Sequence, residues 1–146
     1  MLISHQNSQT GVDRTETYQV LHNQGCLLLD RGNYQEALTY FDQVLALDPQ
    51  HQQAWAFRGA VLIFLERYTE ALSSCDRALL LNPKDSETWV MHGVALQRLD
   101  RYKQAYNSYD RALGIERKPI LKQLFQPILS LIKRLIRQLP SIGPAR

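Results

Sequence analysis

Apolar and polar residues alternate at helical spacing along most of the chain, in pairs of segments. The first segments of two such pairs cover residues 18–29 and 54–65, and the second segments cover 34–47 and 68–81. Apolar residues at i, i+3 and i+4 predict amphipathic helices. Only a few residues separate the two members of a pair, and connections that short force neighbouring helices into antiparallel hairpins. The pattern therefore predicts an all-α chain built from helix hairpins.

Residues that stop and start helices support this division. Pro49 and Pro83 close the second helix of the first two pairs, because proline cannot donate to the helix ladder and restricts the residue before it. Three pairs of residues suit a helix start: Asp13 with Glu16, Asn33 with Glu36, and Ser86 with Glu87. We therefore expect helices to begin beside these pairs.

The same residue types return every 34 positions. They are Gly25, Gly59 and Gly93; Tyr34, Tyr68 and Tyr102; Ala37, Ala71 and Ala105; Asp42, Asp76 and Asp110; and Leu45, Leu79 and Leu113. A fixed period of this size indicates a stacked array of identical helix pairs. The glycines and alanines suit places where two helices approach closely, and Trp55 and Trp89 suit insertion between successive hairpins. Such arrays typically present a surface to a partner.

These residues resemble the tetratricopeptide repeat (TPR), whose signature is W-x2-L-G-x2-Y, followed by A-x3-F, A and P. The middle unit carries the closest matches, which are Trp55, Gly59, Tyr68, Ala71, Ala78 and Pro83. Arg58 and His92 depart from the signature, which has leucine before the glycine. The resemblance covers about residues 18–117. It implies a right-handed superhelical array of three antiparallel helix hairpins, an α-solenoid, followed by a C-terminal amphipathic helix.

The chain is expected to divide into four parts. They are a mobile N-terminal segment 1–12, the array 13–118 with repeats at about 18–51, 52–85 and 86–118, a basic amphipathic helix 119–139, and a tail 140–146. The first part is polar and aperiodic and lacks the features of a signal peptide. No apolar run has the length of a membrane span.

The last predicted helix is the most amphipathic segment of the sequence, because its apolar residues occupy one half of a helical wheel. We expect Pro119 to Phe125 to cap the last hairpin and the following part to keep a surface for other contacts. That surface comprises Ile128, Leu131, Ile132, Leu135 and Ile136 beside Lys133, Arg134 and Arg137. It could serve self-association, a partner protein, the groove of the array itself, or an anionic membrane surface. The lack of tryptophan on this helix disfavours the membrane.

Charge is divided along the chain. The overall charge of +3 combines −4 for residues 1–116, with 10 basic and 14 acidic residues, and +7 for residues 117–146, with 7 basic and no acidic residues. Nucleic-acid binding requires a coherent basic face on the fold, and a basic tail beside an acidic array does not indicate one. We therefore expect no nucleic-acid partner.

Candidate chemistry is sparse. His22 and Cys26 have the i, i+4 spacing of metal ligands, but no further ligand accompanies them, so we expect no metal site. No catalytic constellation or phosphate-binding loop is visible, and we expect neither enzymatic activity nor a cofactor. Cys26 and Cys75 are isolated, which indicates reduced thiols and a cytoplasmic location.

The resemblance also implies a binding surface, because the first helices of TPR hairpins line a concave groove. The corresponding positions, here called the groove set, are Gln19, His22, Asn23, Cys26, Gln53, Ala56, Phe57, Ala60, Phe64, Glu87, Val90, Met91, Val94, Gln97 and Arg98. Relatives that bind chaperone tails hold a C-terminal carboxylate with lysine, asparagine and arginine. The corresponding residues here are His22, Cys26, Phe57, Glu87 and Met91, so an acidic chaperone tail is not expected.

The combined interpretation is a non-catalytic adaptor that binds an extended or helical protein segment in an apolar concave groove. Phe57→Ala and Met91→Ala are expected to weaken partner binding with little loss of helicity. The alternatives are a homo-oligomeric assembly unit and a peripheral membrane adaptor, both of which would use the C-terminal helix.

Overall fold

The computed structural model describes residues 9–115 and 120–138, with side chains for 14–115 and 125–138. All regular structure in these residues is helical. The helices are α1 (Gln9–Asp30), α2 (Tyr34–Leu47), α3 (Gln52–Phe64), α4 (Tyr68–Leu81), α5 (Ser86–Arg98), α6 (Tyr102–Ala112) and α7 (Ile120–Gln138). Two compact units, Met1–Gly114 and Ile115–Arg146, make up the chain and are described separately.

The first unit is the predicted array of helix hairpins. Helices α1 and α2, α3 and α4, and α5 and α6 pack as three hairpins, and α2 packs on α3 as α4 packs on α5. The two helices of each hairpin therefore bury their apolar faces against each other and against the neighbouring hairpin. The all-α expectation and the assignment of hairpins are confirmed.

The repeated small residues lie where helices approach closely. A Cβ atom at Gly59 would lie 2.8 Å from Cys75 Sγ, and a Cβ atom at Gly25 would lie 2.9 Å from the Phe41 ring. Ala71 of the second hairpin has no exposed surface. Because neither glycine position has room for a further carbon atom, the period of small residues follows from packing between the two helices of each hairpin.

Each hairpin loop uses one backbone position with positive φ. Gly32 has φ of 78°, and its counterparts in the next two repeats, Glu66 and Asp100, have φ of 58° and 59°. The residue after each of these donates its N–H to a carbonyl near the end of the preceding helix. The three bonds are Asn33 to Leu28 at 2.9 Å, Arg67 to Leu62 at 2.8 Å and Arg101 to Leu96 at 2.9 Å. A left-handed residue that returns the chain to helix-end carbonyls is a common way to terminate a helix.

The prolines stop helices as predicted. Helix α2 ends at Leu47 and α4 at Leu81, each two residues before a proline. The N–H groups of Asp48 and Asn82 close the last turns at 2.8 Å to Val44 and Ala78.

The predicted helix starts are only partly correct. Asn33 is the N-cap of α2, but its side chain makes no capping hydrogen bond, because the tight loop holds ψ at 63°, outside the extended region that capping requires. Helix α5 begins at Ser86 and has Glu87 in its first turn, as predicted, and its N-cap is Asp85. Helix α3 is capped by His51.

Helix α1 begins at Gln9, so Asp13 lies inside it. Residues 14–17 at this end are exposed and so add little packing. The remainder of the expected N-terminal segment, residues 1–8, lies outside the described residues, as does the tail 139–146.

Candidate functional site

The groove set lies on α1, α3 and α5, the first helices of the three hairpins. Its exposed members are Gln19, Asn23, Gln53, Phe64, Glu87, Val90, Gln97 and Arg98, and its half-buried members are His22, Cys26, Phe57, Ala60, Met91 and Val94. Ala56 is only 8% exposed and offers almost no surface. The other members therefore have side-chain surface that a ligand could contact, and the half-buried ones are mostly apolar.

His22 lies at the centre of an aromatic cluster formed by three helices. Its ring centroid is 5.2 Å from that of Phe57, 5.3 Å from that of His51 and 5.7 Å from that of Phe41. Its Nε2 atom is 3.6 Å from Cys26 Sγ. Among the described residues, no hydrogen-bond partner reaches its buried Nδ1 atom. The histidine therefore serves as a packing element that joins α1 to the second hairpin.

Burial keeps the side chains of His22 and Cys26 uncharged near neutral pH. It lowers the pKa of His22, and the neighbouring charge of His51 lowers it further. Burial also raises the pKa of Cys26, with a smaller contribution from Asp30. Since His22 and Cys26 are both neutral at pH 7, neither side chain supplies a cation to hold an acidic ligand.

Phe57 belongs to the core as well as to the surface. Its ring stacks on that of fully buried Phe41 with centroids 5.6 Å apart and an interplanar angle of 9°. Removing this ring would leave a cavity between two hairpins and would cost stability in addition to any binding contact. The structure therefore does not support the expectation that Phe57→Ala leaves the fold intact.

Phe64 presents a larger aromatic surface. It is 57% exposed and stacks on Tyr34 of the preceding hairpin, with centroids 4.7 Å apart and an interplanar angle of 3°. The contact fixes the orientation of the Phe64 ring while one of its faces stays open. Sequence reasoning identified Tyr34 only as one of the residues that return every 34 positions, and it missed this support for a groove residue.

His51 was also missed, because the sequence places it in a loop after Pro49 and Gln50. In the structure its Nδ1 atom accepts the Ala54 N–H at 3.1 Å, which caps α3. Its ring also lies 5.6 Å from Tyr18. The 34-residue period was an available signal, since it aligns His51 with Asp85, the cap of α5.

Val90 is an exposed apolar residue on the third hairpin. Its counterpart Ala56 is buried, whereas Val90 is 45% exposed and faces a cavity of about 480 Å³ that is also lined by Tyr109 and Leu113. The predicted cap at Pro119 to Phe125 rests on residues 119–124, whose side chains lie outside the described residues. The cap stays a prediction.

Neither a metal-binding cluster nor a reactive thiol is assembled in the described part of the chain. No group of three or more His, Cys, Asp or Glu side chains there could hold a metal ion. Both described cysteines are free thiols. Burial, with smaller contributions from Asp76 and Asp85, raises the pKa of Cys75 to about 12, so this thiol does not form a reactive thiolate near pH 7.

Helix α7 of the second unit has two distinct faces. Ile128, Leu131, Ile132, Leu135 and Ile136 are each 45–62% exposed. Lys133, Arg134 and Arg137 are also exposed. Pro127 lies within the helix, and its carbonyl accepts the Ser130 hydroxyl at 2.7 Å. None of the described helices combines the length and the hydropathy needed to cross a bilayer.

Comparison with known families identifies the repeat. A family model described as "Tetratricopeptide repeat" matches residues 22–87, and a second model with the same description matches residues 86–119. Together they cover residues 22–119, which is 98 of 146 residues. Comparison with curated proteins finds no match.

Solved structures show the same fold. The second TPR of Spaghetti (RPAP3), bound to HSP90 peptide SRMEEVD, has a TM-score of 0.69 at 20% identity and covers 74% of this chain and 99% of that chain. The Arabidopsis OM64 TPR domain has a TM-score of 0.68 at 21% identity, over 86% and 99%. MamA 41-end from Desulfovibrio magneticus RS-1 has a TM-score of 0.64 at 26% identity, over 80% and 66%.

Proposed function

Because the chain belongs to the tetratricopeptide repeat family, we propose that it is a non-catalytic adaptor that binds a segment of a partner protein along α1, α3 and α5. The observation that carries the proposal is the set of accessible apolar side chains on these helices, with Phe64, Met91 and Val94 among them. A similar TPR structure was solved with a bound peptide, which supports the general class of ligand. The free thiols suit a reducing compartment, and a cytoplasmic location is part of the proposal.

The chemistry of the groove set favours apolar anchors over an acidic terminus. The positions that would carry a basic clamp hold His22, Cys26, Phe57, Glu87 and Met91. Two of these side chains are kept neutral by burial, and Glu87 would repel a carboxylate. Burying a large apolar side chain of the ligand contributes about 1.5–3 kcal/mol. The ligand that fits is therefore an extended or helical segment with apolar residues, unlike the acidic peptide SRMEEVD.

A displayed library of random peptides, selected on the full chain, tests this proposal. The selected peptides should share apolar residues, and their affinities should be measured by calorimetry on purified variants. Phe64→Ala should weaken binding at least about tenfold, which corresponds to about 1.4 kcal/mol, because it removes an open aromatic face.

The matched control is Leu80→Ala on α4. Leu80 is 72% exposed and lies outside the groove set, so its removal should leave affinity within about twofold. Thermal unfolding of both variants reports whether the fold is kept. Equal losses in the two variants, or selected peptides that depend on acidic residues, would contradict the proposal.

Assembly through α7 is a second candidate function. The exposed apolar residues of this helix form a stripe that a second copy could cover. Light scattering on the full chain and on a chain that ends at Lys118 tests it. A dimer that is lost on truncation supports assembly, and a monomer in both cases rejects it.

A membrane surface is a third candidate, because α7 combines this stripe with Lys133, Arg134 and Arg137 and has no acidic residue. Flotation with anionic and neutral vesicles at low salt separates it from assembly. Binding to anionic vesicles alone supports the membrane role, and absence of binding rejects it.

A further inference from the structure

The second repeat contains a polar cluster on the side of α3 away from the groove set. Arg58 takes the place of the signature leucine and reaches two neighbouring helices. Its Nε donates to Asp42 Oδ1 on α2 at 2.7 Å, and its Nη1 donates to Ser74 Oγ on α4 at 2.7 Å. Its guanidinium also lies 5.9 Å from the centre of the Trp55 ring. A long cationic side chain therefore fills the space between these helices.

The third repeat carries the same cluster with a shorter side chain. His92 is the counterpart of Arg58, with Nδ1 2.8 Å from Ser108 Oγ and Nε2 3.1 Å from Asp76 Oδ1. Asp76 and Ser108 are the counterparts of Asp42 and Ser74. The polar links between helices are thus preserved, while imidazole replaces the longer guanidinium side chain.

A second substitution removes an acidic group at the same place. In the second repeat, Arg67 forms two hydrogen bonds with the carboxylate of Glu70, at 2.7 and 2.6 Å. In the third repeat, Arg101 instead donates to the neutral amide oxygen of Gln104 at 2.5 Å. The guanidinium of Arg101 therefore keeps its charge without the carboxylate that neutralises its counterpart.

These differences coincide with a cavity of about 360 Å³ between α4, α5 and α6. Its lining includes Trp89, His92, Arg101, Arg111 and Asp76, and no member of the groove set contributes to it. The Arg111 guanidinium lies 4.7 Å from the centre of the Trp89 ring, which orients it at one side of the cavity.

The charge of the pocket is positive. Burial lowers the pKa of His92, with opposing contributions from Asp76, which raises it, and from Arg101 and Arg111, which lower it. With His92 neutral, two guanidinium groups and one carboxylate give +2 − 1 = +1. This charge matches that of a single carboxylate. Asp76 would repel a phosphate dianion more strongly than it would repel a carboxylate.

We propose that this cavity is a second binding site, which takes one carboxylate side chain from an acidic segment of a partner protein. Guanidinium groups bind carboxylates through paired N–H donors, and the amide of Gln104 adds a neutral hydrogen-bonding group. The site is independent of the apolar surface on α1, α3 and α5, because the two share no residue.

The two tryptophans provide an internal comparison for a binding experiment. The Nε1–H groups of Trp55 and Trp89 donate to Pro49 and Pro83 carbonyls at 2.9 and 2.8 Å, so the two indole N–H groups have equivalent hydrogen-bond partners. The probe is the peptide acetyl-Gly-Glu-Glu-Gly-amide, titrated to about 10 mM because a few kcal/mol corresponds to millimolar affinity. Two-dimensional NMR should show saturable shifts of the Trp89 indole and of the Arg101 and Arg111 Nε–H signals, with little change at Trp55.

Variants that restore the residues of the second repeat should close the site. His92→Arg and Gln104→Glu each introduce a residue that the array already accommodates 34 positions earlier. Gln104→Glu should weaken binding of the probe at least about tenfold by neutralising Arg101. His92→Arg should also weaken binding, because the longer side chain fills the cavity and its added charge pairs with Asp76 as Arg58 pairs with Asp42. Gln43→Glu makes the same charge change at an exposed position of α2, outside the groove set and the cavity lining, and should leave affinity within about twofold.

Several results would overturn the proposal. They are equal shifts of Trp55 and Trp89, equal effects of Gln104→Glu and Gln43→Glu, or unchanged binding to a peptide with glutamine in place of glutamate. Tighter binding of inorganic phosphate than of the probe would refute the carboxylate assignment. Failure of this proposal can be distinguished from failure of the proposed binding along the groove set, because His92→Arg should not alter the affinity of apolar peptides.

Discussion

Glu66 occupies a backbone position that favours glycine. Its φ of 58° matches the loop geometry for which the first repeat uses Gly32. A non-glycine residue with positive φ destabilises the folded chain by about 1–2 kcal/mol. Substitution by glycine removes this strain, but the greater freedom of glycine in the unfolded chain offsets part of the gain. Glu66→Gly should therefore raise the free energy of unfolding by about 0.5–1 kcal/mol in urea denaturation. Gly32→Ala is the reverse control and should lower it. A loss of stability in Glu66→Gly would show that this loop is not strained.

Gly59 and Cys75 should be energetically coupled. Gly59→Ala places a carbon atom 2.8 Å from Cys75 Sγ and should destabilise the array by about 1–3 kcal/mol through overpacking. Cys75→Ala removes that sulfur, so the double variant should lose less stability than the sum of the losses in the two single variants. Urea denaturation of all four proteins gives the coupling energy. Additive effects would contradict the close approach of α3 and α4 at this point.

His22 and His92 make stability depend on pH. Burial lowers both pKa values from 6.5 in the folded chain, so the unfolded chain binds more protons once the pH falls to about 6.5. The free energy of unfolding should be highest above about pH 7 and should decrease as the pH falls below about 6.5. It should level off for these groups below their folded-state pKa values. His22→Gln should flatten part of this change. Stability that rises on acidification in this range would be inconsistent with buried neutral imidazoles.

At the scale of the element, helix ends differ in how well the sequence defines them. Pro49 and Pro83 set the ends of α2 and α4, because proline acts through its own backbone chemistry. Capping depends instead on the conformation that a loop imposes. Asn33 has the right residue type and position but the wrong ψ for a side-chain bond, whereas His51 caps α3 although its residue type gave no such signal.

Asp85 links two elements and should be sensitive to substitution. Its carboxylate accepts the Thr88 hydroxyl of α5 at 2.6 Å and the Gln52 amide of α3 at 2.6 Å. Asp85→Ala should lower the free energy of unfolding by about 1–2 kcal/mol, because it removes a helix cap and leaves Gln52 without this partner. Asp85→Asn keeps an acceptor and should lose less. Equal stability of wild type and Asp85→Ala in urea would show that this cap contributes nothing.

At the scale of the molecule, the 34-residue period was enough to predict the array, because stability of such arrays comes from contacts within a hairpin and with its neighbour. The exposure of individual groove residues was harder to predict. Ala56 and Val90 occupy the same repeat position, yet Ala56 is 8% exposed and Val90 is 45% exposed. Position in the array, which the local pattern does not contain, decides between them.

The pocket in the third repeat was not predicted for a related reason. Arg58 and His92 were visible as departures from the signature, but their meaning depends on partners 16 residues away on neighbouring helices. Around the pocket, the third repeat has His92 in place of the longer Arg58 and neutral Gln104 in place of Glu70. These differences indicate a binding pocket only once the structure shows which helices pack beside each other.

The central claim is that a partner segment binds along α1, α3 and α5. The most direct test is a map of backbone amide shifts in the full chain on titration with a peptide from the displayed library. We predict that the largest shifts fall within the groove set, at residues such as Asn23, Phe64 and Val94. Largest shifts on the outer faces of α2 and α4, or on α7, would contradict the claim.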